Sequence, residues 1–257
     1  MIECIEENYP KHMKYYQSYE KVYQDLRKNN HFNPLPNISL VDFFKQEVKS
    51  RLPLNDQGLC DLLEIGCGAK SLFHDLNDSQ LKVLGIDISK SAISWAQELN
   101  KNEDIKYLNQ DVCEMNFKEE FDLVFDGHLL HCLTSDEDRK TSLENIYNSL
   151  RPNGLFVLET MTAHKNMSFE EKLHFENNIL YRLFTNVGYD LKFIDGVPYL
   201  PIRKIKTAMD VEQEIIQAGF QIIYLYVFGN RKIIPYEGRS VPLLSDPDSL
   251  RLIAIKK

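Results

Sequence analysis

The sequence predicts an α/β chain built on a doubly wound, mostly parallel, seven-stranded sheet. A helical segment precedes the sheet, and an insertion follows its fifth strand. Three observations carry this expectation. Short, nearly continuous apolar runs recur from residue 59 onward, as in strands buried on both faces. Amphipathic stretches of helical period lie between these runs, so the strands are joined by crossovers and run parallel. The first run ends in a glycine-rich turn, Gly66-Cys67-Gly68, at a strand-to-helix junction.

The elements follow in order. Residues 12–29 and 39–50 read as helices, separated by the Asn- and Pro-rich stretch NNHFNPLPN. LCDLLEI is the first strand, the GCGAKS turn follows, and a helical pattern continues to about Leu76. LKVLGID is the second strand, and SKSAISWAQELN is a helix with Ser89 as its N-cap. IKYLNQD and FDLVFDG are the third and fourth strands, and SDEDRKTSLENIYNSL is a helix opening on a Ser-x-x-Asp cap. Pro152, Asn153 and Gly154 make a turn before the fifth strand, LFVLETM. MDVEQEIIQAG is a helix closed by Gly219, FQIIYLYVF a sixth strand and LRLIAIKK a seventh. Two stretches break the alternation. Residues 161–206 carry seven aromatics and the basic cluster Arg203, Lys204, Lys206, which suits a lid over a substrate. Residues 229–249 read as a loop. The expected division is an N-terminal helical segment, 1–50, that contacts substrate, and a main domain, 51–257.

Composition narrows the function. The 257 residues include 30 Lys+Arg and 38 Asp+Glu, a net charge of −8, with 43% hydrophobic residues. That content excludes a disordered chain and suffices for a full core without staples. The acidic balance argues against nucleic acid as the main partner. The five cysteines, Cys4, Cys60, Cys67, Cys113 and Cys132, form no CxxC pair, so neither a zinc site nor a disulfide framework is expected. The acidic N-terminus is not a signal peptide and no run reaches membrane-helix length, which makes the cytoplasm the expected location.

Three strand ends converge on a nucleoside-shaped site. Glu64 to Gly68 brings bare backbone to the carboxyl edge of the sheet. The second strand ends in Asp87, about 20 residues beyond the glycines, where a carboxylate can accept from both ribose hydroxyls. The third ends in Asp111, placed to accept from an adenine amino group while Val112 packs on the ring.

With these residues the chain resembles the class I S-adenosylmethionine-dependent methyltransferases. LLEIGCGAKS, VLGIDIS, NQDVCEM, FDLVFDGHLLHCL and LRPNGLFVLET match the family's motifs in order, firmly over residues 59–160. The resemblance implies a Rossmann-like methyltransferase fold, S-adenosyl-L-methionine as cofactor and S-adenosyl-L-homocysteine as product. It implies that Gly66 and Gly68, flanking Cys67, face the methionine part, and that Glu64 orients the loop and the cofactor's amino group. It further implies that Asp87 holds the ribose with Ile88 against adenine, that Asp111 and Val112 recognise adenine, and that Asp126 lies near the methionine moiety. Lys70 stands where the family often has glycine, so the loop has one bare position fewer. Position 71 is serine, which breaks the G-x-G-x-x-G of dinucleotide oxidoreductases.

A sulfonium methyl group is already activated, so the protein must mainly exclude water and align the acceptor. A base is needed where the acceptor arrives protonated, and His128 and His131, after the fourth strand, are the candidates. The plainer reading of His131 is a packed histidine bonded to nearby backbone. Glu159 and His164 read as polar lining, and no metal is expected. Aromatics in both flanking segments suit a small-molecule pocket, and Arg182, Arg203 and Lys204 are candidates for a substrate carboxylate. The expected activity is methyl transfer to O, N or S of a small molecule by a monomer or homodimer without nucleic-acid or membrane partners. The alternatives are methylation of a protein or RNA, or a different use of the cofactor, such as synthesis of a carboxymethyl derivative.

Overall fold

The computed structural model describes residues 11–28, 37–74, 76, 78–184, 191–229 and 246–257. Cys4, Tyr9, His31, most of the NNHFNPLPN breaker and most of the 229–249 loop lie outside the described residues.

Helix α1 spans Lys11–Lys28. Helix α2, Ile38–Phe43, starts on Asn37, whose side chain accepts from the Leu40 amide, and continues through a π turn, Phe44–Val48. The parallel strands are β1 (Cys60–Ile65), β2 (Leu81–Asp87), β3 (Ile105–Asn109), β4 (Phe121–Gly127) and β5 (Leu150–Thr162). Helices α3 (Lys90–Leu99) and α4 (Asp136–Ser149) begin on Ser89 and Ser135, whose hydroxyls accept from amides of the first turn. The helical pattern after the glycine turn yields only a 3-10 turn, Leu72–His74. The strand after Leu150 starts earlier than expected and absorbs Pro152 to Gly154, with Asn153 at φ +64°.

The sheet order is β10-β11-β5-β4-β1-β2-β3, where β10 is Phe220–Phe228 and β11 is Asp248–Lys256. All neighbours run parallel except β11, which is antiparallel to both β5 and β10. Helix α5, Ala208–Gln217, precedes β10 and ends before Gly219 at φ +100°. Register places Ile65 beside Ile86 on one side and Asp126 on the other, so the carboxyl ends of β1, β2 and β4 share one edge.

The core lies on both faces of the sheet. On one, Ile65, Val124 and Phe156 pack with Leu143 and Ile146 of α4 and Val211 and Ile215 of α5. On the other, Leu62, Leu123 and Val157 pack with Leu40, Phe43, Phe44 and Val48. Phe44, Phe73 and Phe125 meet edge to face, with centroids 5.1 to 6.4 Å apart. The second predicted helix therefore belongs to the core of the sheet.

The insertion forms a second sheet. Its strands β6 (Leu173–Glu176), β7 (Ile179–Leu183), β8 (Lys192–Ile194) and β9 (Val197–Lys204) pair antiparallel in the order β6-β7-β9-β8. Asn177-Asn178 joins β6 to β7 and Asp195-Gly196 joins β8 to β9. All four residues have φ between +50° and +77°, as two-residue hairpin turns require.

Candidate functional site

The glycine turn at the end of β1 is shaped by two positive φ angles, +67° at Gly66 and +62° at Gly68. A Cβ at Gly66 would come within 2.7 Å of Leu129 Cδ1, and one at Gly68 within 2.5 Å of the Tyr23 hydroxyl. Only bare backbone fits. Glu64 stays below this turn. It is buried, and its Oε1 accepts from the Leu72 amide at 2.9 Å. Oε2 is buried without a hydrogen-bond partner among the described residues, and burial pushes the carboxyl up to about 7.

Asp87, at the end of β2, is fixed by two amides. Gly68 N–H donates to Oδ2 at 3.0 Å and Ser89 N–H to Oδ1 at 2.8 Å. Each oxygen retains acceptor capacity, so the carboxylate can still meet a pair of hydroxyls. Burial pushes it up to about 6, against the pull of those amides. Asp111 is held similarly, with Oδ1 accepting from Cys113 N–H at 2.8 Å.

His128 follows β4 with φ +97°, uncommon for a side chain this large. Its Nε2 lies 3.4 Å from Glu159 Oε1 and 3.5 Å from Asn37 Nδ2. Glu159 is buried at the end of β5, and its other oxygen accepts from Arg251 Nε at 2.6 Å. Arg251 also donates to Ser39 Oγ at 2.6 Å, which ties β5, β11 and the start of α2 together behind His128. Burial, Arg203 and Arg251 lower the affinity of His128 for a proton, and Glu159 raises it.

Helix α1 and strand β9 close the other side. Tyr16, Tyr19 and Tyr23 share one helical face at spacings of three and four. Tyr16 Oη donates to Asp138 at 3.0 Å and accepts from Thr134 N–H at 3.3 Å. Arg203 of β9 donates to the Tyr19 hydroxyl and, at 2.7 Å, to Ile202 O. Glu20, on α1, accepts from Ser89 Oγ at 2.7 Å and from Ser91 N at 3.1 Å, docking the helix on the start of α3.

These elements enclose a cavity of about 240 Å³. Of the residues expected from sequence to bind cofactor, Gly66, Asp87, Ile88, Asp111 and Val112 line it. The other four are not among the lining residues. Glu64 and Cys67 are buried at the loop, the Cys67 sulfur 3.0 Å from where a Cβ at Gly85 would stand, and a Cβ at Gly68 would meet the hydroxyl of Tyr23 on the cavity wall. Asp126 is fully buried, with both oxygens taken by the Leu129 and Leu130 amides at 2.6 and 2.9 Å, so it holds the turn after β4. Burial pushes it up to about 7.

His131 takes the packed place that its plainer reading describes. It is 2% exposed, off the cavity wall, with Nδ1 3.2 Å from the Thr160 hydroxyl and 3.4 Å from the Met161 amide. His128 lines the cavity. Sequence reasoning missed Gln110, Leu129 and Cys132 as wall residues; it expected aromatics of the N-terminal segment in the pocket, and the structure brings Tyr16, Tyr19 and Tyr23 to its wall. Among the described residues no cluster of three His, Cys, Asp or Glu could hold a metal, and no helix is long and apolar enough to cross a membrane.

Comparison with known proteins agrees with this geometry. Residues 63–158 match the family model described as a methyltransferase domain. Nodulation protein S of Azorhizobium caulinodans is 31% identical over 134 residues, 51% of this chain and 65% of that protein. Carboxy-S-adenosyl-L-methionine synthase of Shewanella sediminis is 25% identical over 186 residues, 67% of this chain and 65% of that protein. The matches thus span just under two thirds of each relative. Among solved structures, the 1,6-didemethyltoxoflavin-N1-methyltransferase of Burkholderia thailandensis, with its substrate and S-adenosylhomocysteine bound, superposes with a TM-score of 0.60 at 14% identity, covering 95% of this chain and 88% of that one. Residues 63–158 thus match a methyltransferase domain, and motif order and strand order are similar to those of the class I S-adenosylmethionine-dependent methyltransferases.

Proposed function

We propose that the chain binds S-adenosylmethionine in the cavity at the carboxyl edge of β1, β2 and β4 and transfers its methyl group to a small-molecule acceptor. The observation that carries this reading is the convergence of Gly66, Asp87, Asp111 and His128 on one wall system. The residues fit the cofactor. Gly66 offers bare backbone, Asp87 has a fixed carboxylate with acceptor capacity for two ribose hydroxyls, and Asp111 with Val112 offers an acid beside an apolar face. The 1,6-didemethyltoxoflavin held by the Burkholderia protein supports a small acceptor, as does a partly open cavity walled by tyrosines.

When bound, the cofactor supplies a methyl group already activated by a sulfonium. The chain's own residues then position and desolvate. Tyr16, Tyr19 and Tyr23 exclude water from the cavity. His128, held neutral by burial, receives a proton from the acceptor, and buried Glu159 offsets the charge that develops on the imidazole.

Calorimetric titration tests the placement. S-adenosylhomocysteine is expected to bind and NAD is not. Asp87→Ala is expected to weaken S-adenosylhomocysteine at least about tenfold, from the loss of two charge-assisted hydrogen bonds. Unchanged affinity would sink the placement. A second reading, synthesis of a carboxylated cofactor derivative, is favoured by the Shewanella relative. Mass spectrometry of the nucleoside product separates the two, because only methyl transfer leaves S-adenosylhomocysteine.

A further inference from the structure

The three basic candidates of the insertion separate once placed. Arg182 is exposed on β7, and Lys204 is buried and paired with Asp136 at 2.6 Å. Arg203 enters the cavity, and is the one Lys or Arg on its wall among the described residues. The buried or half-buried arginines elsewhere each hold a carboxylate: Arg139 with Glu214, Arg151 with Asp61 and Asp122, Arg251 with Glu159. Arg203 has no such partner among the described residues. Among the described residues its bonds all run from Nη1, to the Tyr19 hydroxyl and Ile202 O, and Nε and Nη2 make none there. A half-buried guanidinium with unused donors on the cavity wall offers them to an anion that enters.

We infer that Arg203 is a carboxylate anchor for a ligand of this cavity, an inference that rests on the cofactor-and-acceptor reading above. The planar fork matches a carboxylate, and Tyr19 braces it by a hydrogen bond and by its ring, 5.7 Å away. Arg203, His128 and Cys132 line one cavity, so the anchor faces the same space as the proposed base. Two molecules could bring the carboxylate: the amino-acid end of the cofactor, or the acceptor, which would then be a small organic acid.

The test uses calorimetry on the full chain, wild type and Arg203→Gln. The nucleoside probes are S-adenosylhomocysteine and 5′-methylthioadenosine, which lacks the amino-acid end. Proteins saturated with S-adenosylhomocysteine are then titrated with benzoate and with benzamide. If Arg203 holds the cofactor, Arg203→Gln loses at least about tenfold in S-adenosylhomocysteine affinity while methylthioadenosine is unchanged. If it holds the acceptor, both nucleosides stay within about twofold, and benzoate binding weakens at least about tenfold where benzamide is indifferent.

Equal binding of S-adenosylhomocysteine and benzoate by both proteins overturns the anchor and leaves the cofactor reading standing. Failure of the wild type to bind either nucleoside removes the cofactor reading, and the anchor with it. Thermal melting separates a scaffold role. An anchor held at the expense of stability leaves Arg203→Gln as stable as wild type or more so. A lowered melting point with unchanged affinities assigns Arg203 to the scaffold.

Discussion

At His128 the backbone and the ring are constrained together. The positive φ throws the side chain toward the cavity, and Glu159, clamped by Arg251, meets its Nε2. Burial lowers the imidazole's proton affinity, so the base is ready at neutral pH and activity falls only as pH drops below His128's ordinary value near 6.5. Glu159 works against that lowering. Its replacement, Glu159→Gln, is therefore expected to move the acid limb of kcat further down in pH, and to reduce kcat. His128→Ala is expected to cost about a hundredfold in kcat, in the usual range for a lost base, with cofactor affinity held. A pH–rate profile on both variants checks this; an unmoved limb in Glu159→Gln would detach Glu159 from the chemistry. At this scale sequence reading reached the strand-end acids, because Asp87 and Asp111 each close an apolar run. It did not reach the Glu159–Arg251 pair, which joins positions 92 apart through sheet register.

Among the elements, α1 decides how the cavity opens. Three tyrosines form its inner face, and Glu20 fastens the helix to the first turn of α3, beside Ile88. Glu20→Ala removes that fastening without touching the cavity wall. Stopped-flow displacement is expected to show S-adenosylhomocysteine leaving about tenfold faster, the equivalent of about 1.4 kcal/mol. An unchanged off-rate would mean that α1 does not gate release. Strands β2, β4 and β10 begin and end where the apolar runs do; β4 is buried on both faces, while β10, at the sheet edge, is apolar in sequence although half exposed. The four strands of the insertion were not legible as strands. They are short and half exposed, so their pattern is weak. Their turns were the available signal, since Asp195-Gly196 is a hairpin dipeptide.

Across the whole molecule, three buried carboxyls sit high: Glu64 and Asp126 at about 7 and Asp87 at about 6. Each is raised above its unfolded value near 4, so its neutral form favours the folded chain and that contribution is lost as pH rises through 6 to 7. The free protein is therefore expected to melt at a lower temperature at pH 8 than at pH 5.5. Bound S-adenosylhomocysteine is expected to narrow the difference, because ribose hydroxyls favour the ionised form of Asp87. A melting point that rises across this interval would contradict the burial of these groups. The overall architecture was legible because it follows from alternating elements and crossover handedness. The docking of α1 and β9 over the sheet was not, since it depends on contacts between residues more than 100 positions apart.

The place of β11 has a consequence for how the chain is made. It leaves the ribosome after every other described strand, yet it lies between β5 and β10 and backs Glu159 through Arg251. Until residue 256 has emerged, β10 has no neighbour to join and β5 keeps an open edge. A nascent chain that stops before residue 248 is therefore expected to fold no further than the five parallel strands and to leave β5 as a sticky edge that a holdase would cover.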